Sequence, residues 1–357
     1  MDIADTLIAW YERNKRELPW RNTGEVYSIW LSEIILQQTR IDQGTDYYIK
    51  FVNRYPDIYA LAGAPRDEVF KLWQGLGYYN RAANMLKTAQ LITGKYKGKF
   101  PRARAGLMEL PGIGPYTSAA IASIAFNEPV PAVDGNVFRV IARLYGVKEP
   151  VNSTKGMQIV SDLAEKLMDK NDPGTFNQAL MEFGALACTP AIPSCDNCPF
   201  RSVCYARLKG KVGELPFRQP KTKVKSRFFY YFHIDYPTDN GGYLYLNKRT
   251  DNNIWNNLYD FMLVETSRKT EVTDRWIVNH LGKKFGLKNV VIGKISKEYR
   301  HRLTHQLIHA VFIRIIVDKK IDLAPENSLI LVRKDHLNDY PVPRLVEQYL
   351  TDEELIK

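Results

Sequence analysis

Apolar side chains in roughly the first two hundred residues recur at helical spacing rather than in alternation. Trp30, Ile34, Ile35 and Gln38 are spaced in this way, and prolines and glycines separate one such segment from the next. No strong alternating pattern occurs before residue 226. The pattern therefore predicts a mainly α-helical region over residues 1–209.

The pattern changes from residue 228, where short segments rich in aromatic and β-branched residues predict strands. These segments are FFYYFHIDY, GYLYLNKR, VVIGKIS and QLIHAVFIRIIV. A helix is predicted between them, from Asp274 to Phe285. Residues 228–357 are thus predicted to form an α+β domain, and a multidomain chain suits a length of 357 residues.

A basic stretch, residues 210–227, connects the two regions. It contains one acid, Glu214, among several lysines and arginines, and Pro216 and Pro220 prevent a regular helix. Such a linker could follow a phosphate backbone or act as a solvated tether, and the sequence favours neither.

Positive charge dominates the chain, with a formal net charge of +11 and a pI of about 9.3. A balance of this size favours a polyanionic partner such as nucleic acid, although charge alone does not exclude another basic protein. No apolar run is long enough to span a membrane, and the acidic N-terminus is unlike a signal peptide. We therefore expect a cytoplasmic protein.

The four cysteines of the chain, Cys188, Cys195, Cys198 and Cys204, follow the spacing C-x6-C-x2-C-x5-C. Disulfides are disfavoured in a reducing cytosol, so thiols this close together indicate a metal centre. Four thiolates suit tetrahedral zinc or a [4Fe–4S] cluster. A single compact loop with only one short C-x2-C pair suits the cluster better, but spacing alone does not decide between them.

A glycine-rich turn lies between two helical patterns within residues 107–126. Gly112 and Gly114 allow the backbone to approach a ligand closely, and the helix that follows would direct its N–H groups toward a phosphate. A tight helix–helix turn is the alternative interpretation of the same residues.

Three features together resemble the endonuclease III superfamily of helix-hairpin-helix DNA glycosylases. They are the hairpin LPGIGPYTSAAI, the segment VDGNVFRV with Asp134, and the four-cysteine loop 188–204. The resemblance implies a mainly α glycosylase domain with two lobes around a DNA-binding cleft. It further implies phosphate binding by Gly112 and Gly114, and a [4Fe–4S] cluster on the four cysteines.

The N-terminal motifs resemble one branch, the A/G-specific adenine glycosylases of the MutY family. These motifs are LPWR, WLSEIILQQTR and LWQGLGYYNRA, and the likeness covers roughly residues 5–205. The branch removes adenine mispaired with 8-oxoguanine or guanine. Bifunctional relatives carry a lysine where this chain has Tyr116, and a tyrosine cannot form the required imine. The resemblance thus implies base removal without strand cleavage.

The same resemblance assigns the catalytic roles. Glu33, in an otherwise apolar helix, would be kept protonated by burial and would protonate adenine N7, although a paired structural glutamate is the alternative. Asp134 would stabilise the positive charge that develops on the sugar, and it could also cap the helix beginning near Val137. Asn136 and Tyr116 would orient the nucleophilic water.

Further residues are assigned to base recognition by resemblance. Arg21, Leu36 and Glu182 would contact the flipped adenine, with Glu182 near the catalytic water. Gln38 would probe the DNA helix, and Tyr78 would wedge beside the oxidised guanine. Tyr78 and Tyr79 could instead both be core aromatics. Because adjacent residues of one helix cannot share a face, at most one of them should be fully buried.

The C-terminal region resembles the Nudix-like module with which such glycosylases read 8-oxoguanine. It lacks the Nudix hydrolase box, so we expect no pyrophosphatase activity. Leu303, Thr304 and His305 correspond to the Phe-Ser-His recognition loop of the family. Thr304 retains the hydroxyl, whereas Leu303 replaces the aromatic ring and places a stacking contact in doubt.

The same residues are compatible with two other functions. A thymine glycosylase acting on T:G mismatches would fit Tyr116 equally well, but LQQT and the reader module favour adenine. A DNA-binding scaffold would need neither Glu33 nor Asp134. We expect a monomer whose partner is double-stranded DNA with 8-oxoguanine:A or G:A pairs, together with replication or repair proteins. In a bacterium it would act on the nucleoid.

Overall fold

The chain divides into two units, which the computed structural model describes over residues 2–21, 23–218, 224–239, 241–250, 253–287, 290–321 and 329–356. Unit 1 comprises Met1–Ala64 and Asn84–Pro220, and unit 2 comprises Pro65–Ala83 and Lys221–Lys357. A short segment from the N-terminal half thus belongs with the C-terminal half. Lys221, Lys223 and Pro220 of the basic linker lie outside the described residues.

The described residues of unit 1 form helices joined by loops, without a strand, as the spacing of its apolar side chains predicts. Its helices are α1 (Ile3–Asn14), α2 (Val26–Ile35), α3 (Ile41–Arg54), α4 (Ile58–Ala62), most of α6 (Asn80–Gly94), α7 (Arg104–Met108), α8 (Pro115–Phe126), α9 (Gly135–Tyr145), α10 (Thr154–Leu167), α11 (Pro173–Leu186) and α12 (Tyr205–Leu208). The main core of this unit is built from α1, α9, α10 and α11.

Small residues let the helices of this core approach closely. A Cβ added at Gly184 of α11 would lie 2.7 Å from Asn136 Cβ in the first turn of α9. One added at Gly174 would lie 2.9 Å from the Ser123 carbonyl oxygen of α8. Since packed interiors leave no room for such atoms, these glycines fix α11 against the two helices that carry Tyr116 and Asn136.

Over its described residues, unit 2 contains α5 (Arg66–Trp73) and a mixed sheet of eight strands. The strands are β1 (Lys225–Tyr236), β2 (Tyr243–Lys248), β3 (Tyr259–Asp260), β4 (Met262–Thr266), β5 (Val291–Ile295), β6 (Tyr299–Arg302), β7 (Gln306–Ile316) and β8 (Leu329–Arg333). The described part of the unit also contains α13 (Asp274–Phe285), a short 3-10 helix (Lys334–Asp339) and α14 (Arg344–Asp352). The four predicted strands and the predicted helix are confirmed, whereas β3, β4, β6 and β8 were not anticipated.

The sheet is buried on both faces along β1, which pairs in parallel with β7 and antiparallel with β2 and β4. Phe229 and Tyr231 enter one core with α14, and Tyr230 and Phe232 enter the other with α13. This explains why β1 is a continuous apolar run rather than an alternating strand. β1 begins at Lys225, so the C-terminal end of the basic stretch 210–227 is part of the sheet.

Candidate active site

Glu33 lies near the C-terminal end of α2, on a helix whose other side chains are largely buried. It lines a cleft together with Tyr116 and Asp134. Burial, with a smaller contribution from the nearby Asp134 charge, raises the pKa of Glu33 to about 7 against the lowering effects of the Tyr116 hydrogen bond and of Arg21. A carboxyl group with this pKa can hold a proton at neutral pH and release it to a substrate.

Tyr116 is the second residue of α8, directly after the glycine-rich turn. Its hydroxyl group lies 3.1 Å from Met181 Sδ and also acts as a hydrogen-bond partner of Glu33. Burial raises the pKa of the Tyr116 phenol well above its usual value. Tyr116 therefore remains a neutral hydrogen-bond donor beside the Glu33 carboxyl group.

Asp134 is the N-cap of α9, and it also lines the cleft, so the two interpretations of this residue are compatible. Its Oδ1 accepts from the backbone N–H groups of Asn136 (2.8 Å) and Val137 (2.7 Å), and its Oδ2 accepts from Asn136 Nδ2 (2.7 Å). Burial raises the pKa of Asp134, while these hydrogen bonds favour the charged form. The cap holds the carboxylate in one orientation.

Asn136 is in turn held by a residue that sequence reasoning missed. Arg139 donates from Nη2 to Asn136 Oδ1 (2.8 Å) and to the Gly184 carbonyl oxygen (2.7 Å), and from Nε to the Cys188 carbonyl oxygen (2.7 Å). Its position within the apolar run of α9 was the available signal, because a buried arginine requires several acceptors.

A second cavity of about 200 Å³ adjoins the cleft and shares Glu33, Leu36, Tyr116 and Asp134 with it. Arg21, Asn136 and Glu182 complete the set of predicted residues on its walls. The cavity thus brings together all the unit 1 residues assigned to catalysis and adenine contact. These are Arg21, Glu33, Leu36, Tyr116, Asp134, Asn136 and Glu182.

Glu182 is almost fully buried, with 2% of its surface exposed, and five donors converge on its carboxylate. Arg16 donates through its backbone N–H (2.9 Å), Nε (2.8 Å) and Nη2 (2.7 Å), and Arg21 donates through both terminal nitrogens (3.2 and 2.8 Å). These contacts lower the pKa of Glu182 to about 2 against the opposing effect of burial. Arg16 was not anticipated from the sequence.

The glycine-rich turn opens onto the wider cleft, whose volume is about 620 Å³. Gly112 has a φ of +78°, and a Cβ there would lie 2.8 Å from Asn84 Cβ. Gly114 is the N-cap of α8 and provides no side-chain acceptor. The first N–H groups of α8 therefore lack intrahelical partners at the edge of the cleft, which is the geometry of a phosphate site.

Gln38 also lines this cleft, but it does not belong to a helix as its spacing predicted. α2 ends at Ile35, and Gln38 has a φ of +57° in the turn that follows. Its neighbour Gln37 donates to Thr117 Oγ1 at 3.1 Å and so joins this turn to α8. The Gln38 side chain is exposed.

The four cysteine side chains line one cavity with α9 and α11. Arg143 borders it, donating to Cys188 Sγ (3.4 Å) and to the carbonyl oxygens of Thr189 (2.8 Å) and Pro190 (3.1 Å). Within the described ranges, no three His, Cys, Asp or Glu side chains are arranged to hold a metal ion. Four thiols around a common space suit either a tetrahedral zinc ion or a [4Fe–4S] cluster.

Unit 2 holds the residues assigned to the oxidised base. The Tyr78 hydroxyl group lies 2.6 Å from Thr304 Oγ1. Tyr78 is 54% exposed and Tyr79 only 8%, so the expectation that at most one is fully buried is confirmed. The reason given was wrong, because both tyrosines lie in the loop between α5 and α6 rather than on one helix.

Residues 303–305 form the tight turn between β6 and β7. Leu303 donates its N–H to the Gln306 carbonyl oxygen at 2.8 Å, and its side chain packs in part against the sheet core. Thr304 and His305 are exposed. The turn therefore presents a hydroxyl and an imidazole, while Leu303 is partly engaged in the core.

Comparison with protein families matches residues 31–167 to the HhH-GPD superfamily of base excision DNA repair proteins. Residues 237–352 match the NUDIX domain. Among the described residues, no helix is both long and apolar enough to cross a bilayer. The fold is thus a helical helix-hairpin-helix domain followed by a Nudix-like domain with a mixed sheet.

Curated relatives match more than half of the chain. An adenine DNA glycosylase of Buchnera aphidicola (subspecies Baizongia pistaciae) is 32% identical over 97% of this chain and 95% of its own. The human adenine DNA glycosylase is 42% identical over 57% of this chain and 39% of its own. A solved thermostable thymine-DNA glycosylase matches 58% of this chain and 95% of its own, with a TM-score of 0.54 and 31% identity.

Proposed function

Since the chain belongs to the adenine DNA glycosylase family, we propose that it removes adenine mispaired with 8-oxoguanine or guanine and leaves an abasic site. The observation that carries this proposal is Glu33, a carboxyl group with a pKa of about 7 beside Asp134 and Tyr116 in one cleft. The substrate is double-stranded DNA, in keeping with the net charge of +11. In a bacterium, the proposed location is the cytoplasm, on the nucleoid.

In the proposed reaction, adenine leaves the base stack and enters the cavity of about 200 Å³. Protonated Glu33 transfers its proton to adenine N7, which makes the base a better leaving group. Asp134, oriented by its cap hydrogen bonds, stabilises the positive charge that develops on the sugar, through electrostatics or a transient covalent bond. Asn136 and Tyr116 orient the water that completes hydrolysis.

Recognition of the adenine is proposed for Arg21, Leu36 and Glu182 on the cavity walls. Glu182 is held ionised by Arg16 and Arg21, so it is available only as a hydrogen-bond acceptor. The Gly112 and Gly114 turn would bind a backbone phosphate, and Gln38 would probe the helix beside the lesion. Tyr78, Leu303, Thr304 and His305 would read the oxidised guanine.

The reaction is proposed to stop at base removal. Strand cleavage by this class of enzyme needs an amine that forms an imine with the sugar, and Tyr116 occupies the corresponding position. Removal of thymine is the second candidate, because the chain is similar to a thermostable thymine-DNA glycosylase over 58% of its length. The LQQT motif and the Nudix-like domain favour adenine.

The cofactor is proposed to be a [4Fe–4S] cluster bound by Cys188, Cys195, Cys198 and Cys204, whose side chains line one cavity. The cluster would crosslink the C-terminal loop of unit 1 and supply no group to the hydrolysis itself. Purified protein should carry about four irons per chain and absorb visible light. Stoichiometric zinc without iron would contradict this assignment.

A single-turnover assay on a labelled duplex tests the proposed reaction. With an 8-oxoguanine:A pair, we expect a break that appears only after alkali treatment, because alkali cleaves an abasic site. A break without alkali would exclude a monofunctional enzyme. A T:G duplex run in parallel distinguishes the thymine-removing alternative.

A further inference from the structure

The segment Pro65–Ala83 belongs to unit 2 although it precedes most of unit 1 in the chain. Its helix α5 is attached through Asp67, whose two carboxylate oxygens each lie 3.1 Å from Lys248 Nζ of β2. The Tyr259 hydroxyl group of β3 donates to Asp67 Oδ2 at 2.9 Å. One carboxylate thus joins α5 to two neighbouring strands of the sheet.

Two further hydrogen bonds flank Asp67 along the segment. Arg66 Nη1 donates to Asn257 Oδ1 at 3.1 Å, and Gln74 Nε2 donates to Glu347 Oε1 of α14 at 2.8 Å. Asp67 combines an ion pair to Lys248 with a hydrogen bond from the phenol of Tyr259. α5 is therefore held at both of its ends.

The loop that follows α5 connects the anchored helix directly to Tyr78. Its backbone is left-handed at Gly75 (φ +100°), Gly77 (+70°) and Tyr78 (+48°), a conformation that a tyrosine rarely adopts. Trp73 Nε1 donates to the Gly77 carbonyl oxygen at 3.0 Å, and Arg81 Nη2 donates to the same oxygen at 3.2 Å.

The side chain of Tyr78 completes the connection, because its hydroxyl meets Thr304 Oγ1 at 2.6 Å on the turn between β6 and β7. Tyr79, the next residue, is buried and packs against Phe70 of α5 with ring centroids 5.9 Å apart. The orientation of Tyr78 therefore depends on α5 on one side and on the 303–305 turn on the other.

We propose that Asp67, with Lys248 and Tyr259, is a positioning group that sets the discrimination between 8-oxoguanine and guanine by holding Tyr78 against Thr304. This inference rests on the proposed function, and it extends the reading of the lesion to residues that do not touch DNA. Loss of the anchor lets the Tyr78 loop sample other conformations, which weakens the contact proposed between Tyr78 and the oxidised base. Asp67 acts on Tyr78 and not on the bond-breaking groups, so the rate on G:A changes little.

The test compares single-turnover excision rates of the full-length protein on 8-oxoguanine:A and G:A duplexes. We expect Asp67→Ala to lower the ratio of the two rates about three- to tenfold, because an anchored ion pair and a hydrogen bond are lost. Lys248→Met should lower it less, since Tyr259 still holds Asp67. Asp274→Ala, which removes an exposed acid from the first turn of α13, is the matched control and should leave the ratio unchanged.

A double-variant cycle separates positioning from a general loss of stability. If Asp67 acts through the contact of Tyr78 with Thr304, Asp67→Ala should have little further effect on the ratio in a Thr304→Ala background. Additive losses, or equal losses on both duplexes, would overturn the inference, as would an unchanged ratio. A wild-type protein that excises adenine without preferring 8-oxoguanine:A would instead overturn the proposed reading of the lesion.

Discussion

At the scale of the residue, the chemistry depends on two carboxyl groups with different surroundings. Burial of Glu33 outweighs its hydrogen bond with Tyr116 and the charge of Arg21, so its pKa rises to about 7. Asp134 accepts three hydrogen bonds at 2.7–2.8 Å from the start of α9, which favour the charged form. Burial raises the pKa of Asp134 as well, but these hydrogen bonds oppose the rise, so the two surroundings suit an acid at Glu33 and a charge stabiliser at Asp134.

Replacement of Glu33 by glutamine tests the assignment of the acid. Glu33→Gln keeps the size and polarity of the side chain but cannot deliver a proton, so excision should fall by about 10²-fold or more. Duplex affinity, measured by fluorescence anisotropy, should stay within about twofold because phosphate contacts dominate binding. Excision by Glu33→Gln at the wild-type rate would show that Glu33 does not supply the proton.

The pH dependence of excision follows from the raised pKa of Glu33. The protonated form is the active one, so the single-turnover rate should be highest below pH 7 and fall as the pH rises through about 7. Above that point the decline should approach about tenfold per pH unit. A rate that stays constant from pH 6 to pH 9 would show that another group supplies the proton.

At the scale of the element, close helix packing places the side chains that these residues need. Gly184 lets α11 approach the first turn of α9, where Asn136 and its cap Asp134 begin the helix. Arg139 secures the same junction by donating to Asn136 and to the Gly184 carbonyl oxygen. The orientation of Asp134 is thus a property of the α9–α11 pair.

Gly184→Ala tests this dependence. Its Cβ would lie 2.7 Å from Asn136 Cβ, so the variant should lose about 1–3 kcal/mol of stability and excise adenine more slowly. Gly94→Ala is a suitable control, because no atom lies within 4 Å of a Cβ at that helical position. The measurements are the thermal unfolding temperature and the single-turnover excision rate of each variant, compared with those of the wild type. Equal behaviour of the two would show that α11 does not position Asn136.

At the scale of the whole molecule, the net positive charge is the property that attracts a long polyanion such as DNA. The chain has 50 lysines and arginines against 39 acids. Neutralising DNA phosphates releases counterions, so affinity depends on salt even where no base is read. The two units differ in task, with the excision residues in unit 1 and the assigned lesion-reading residues in unit 2.

Salt titration tests this view of binding. Affinity for an undamaged duplex should fall by about tenfold or more between 50 and 200 mM salt, as expected for several phosphate contacts. The single-turnover rate at saturating protein should change much less, because the excision groups are partly shielded from solvent. Affinity that is independent of salt would mean that the positive charge does not contact phosphates.

Most secondary-structure elements and candidate site residues of this protein could be predicted from its sequence, because they depend on the order of neighbouring residues. Periodicity predicted the helices of unit 1, and aromatic runs predicted β1, β2, β5 and β7. β3, β4, β6 and β8 were missed because their two to five residues lack the aromatic or β-branched run that marked β5. Motifs singled out Glu33, Tyr116 and Asp134 and the four cysteines, and the structure brings the first three together in one cleft.

Only the tertiary structure decided the surroundings on which function depends. The pKa of Glu33 is a sum over neighbours from α8 and α9, and no stretch of α2 contains that information. Arg16 reaches Glu182 across 166 positions, and Asp67 reaches Tyr259 across 192. Sequence determines which groups are available and how each segment folds. Burial, charge pairing and the inclusion of residues 65–83 in unit 2 arise only when distant segments pack together.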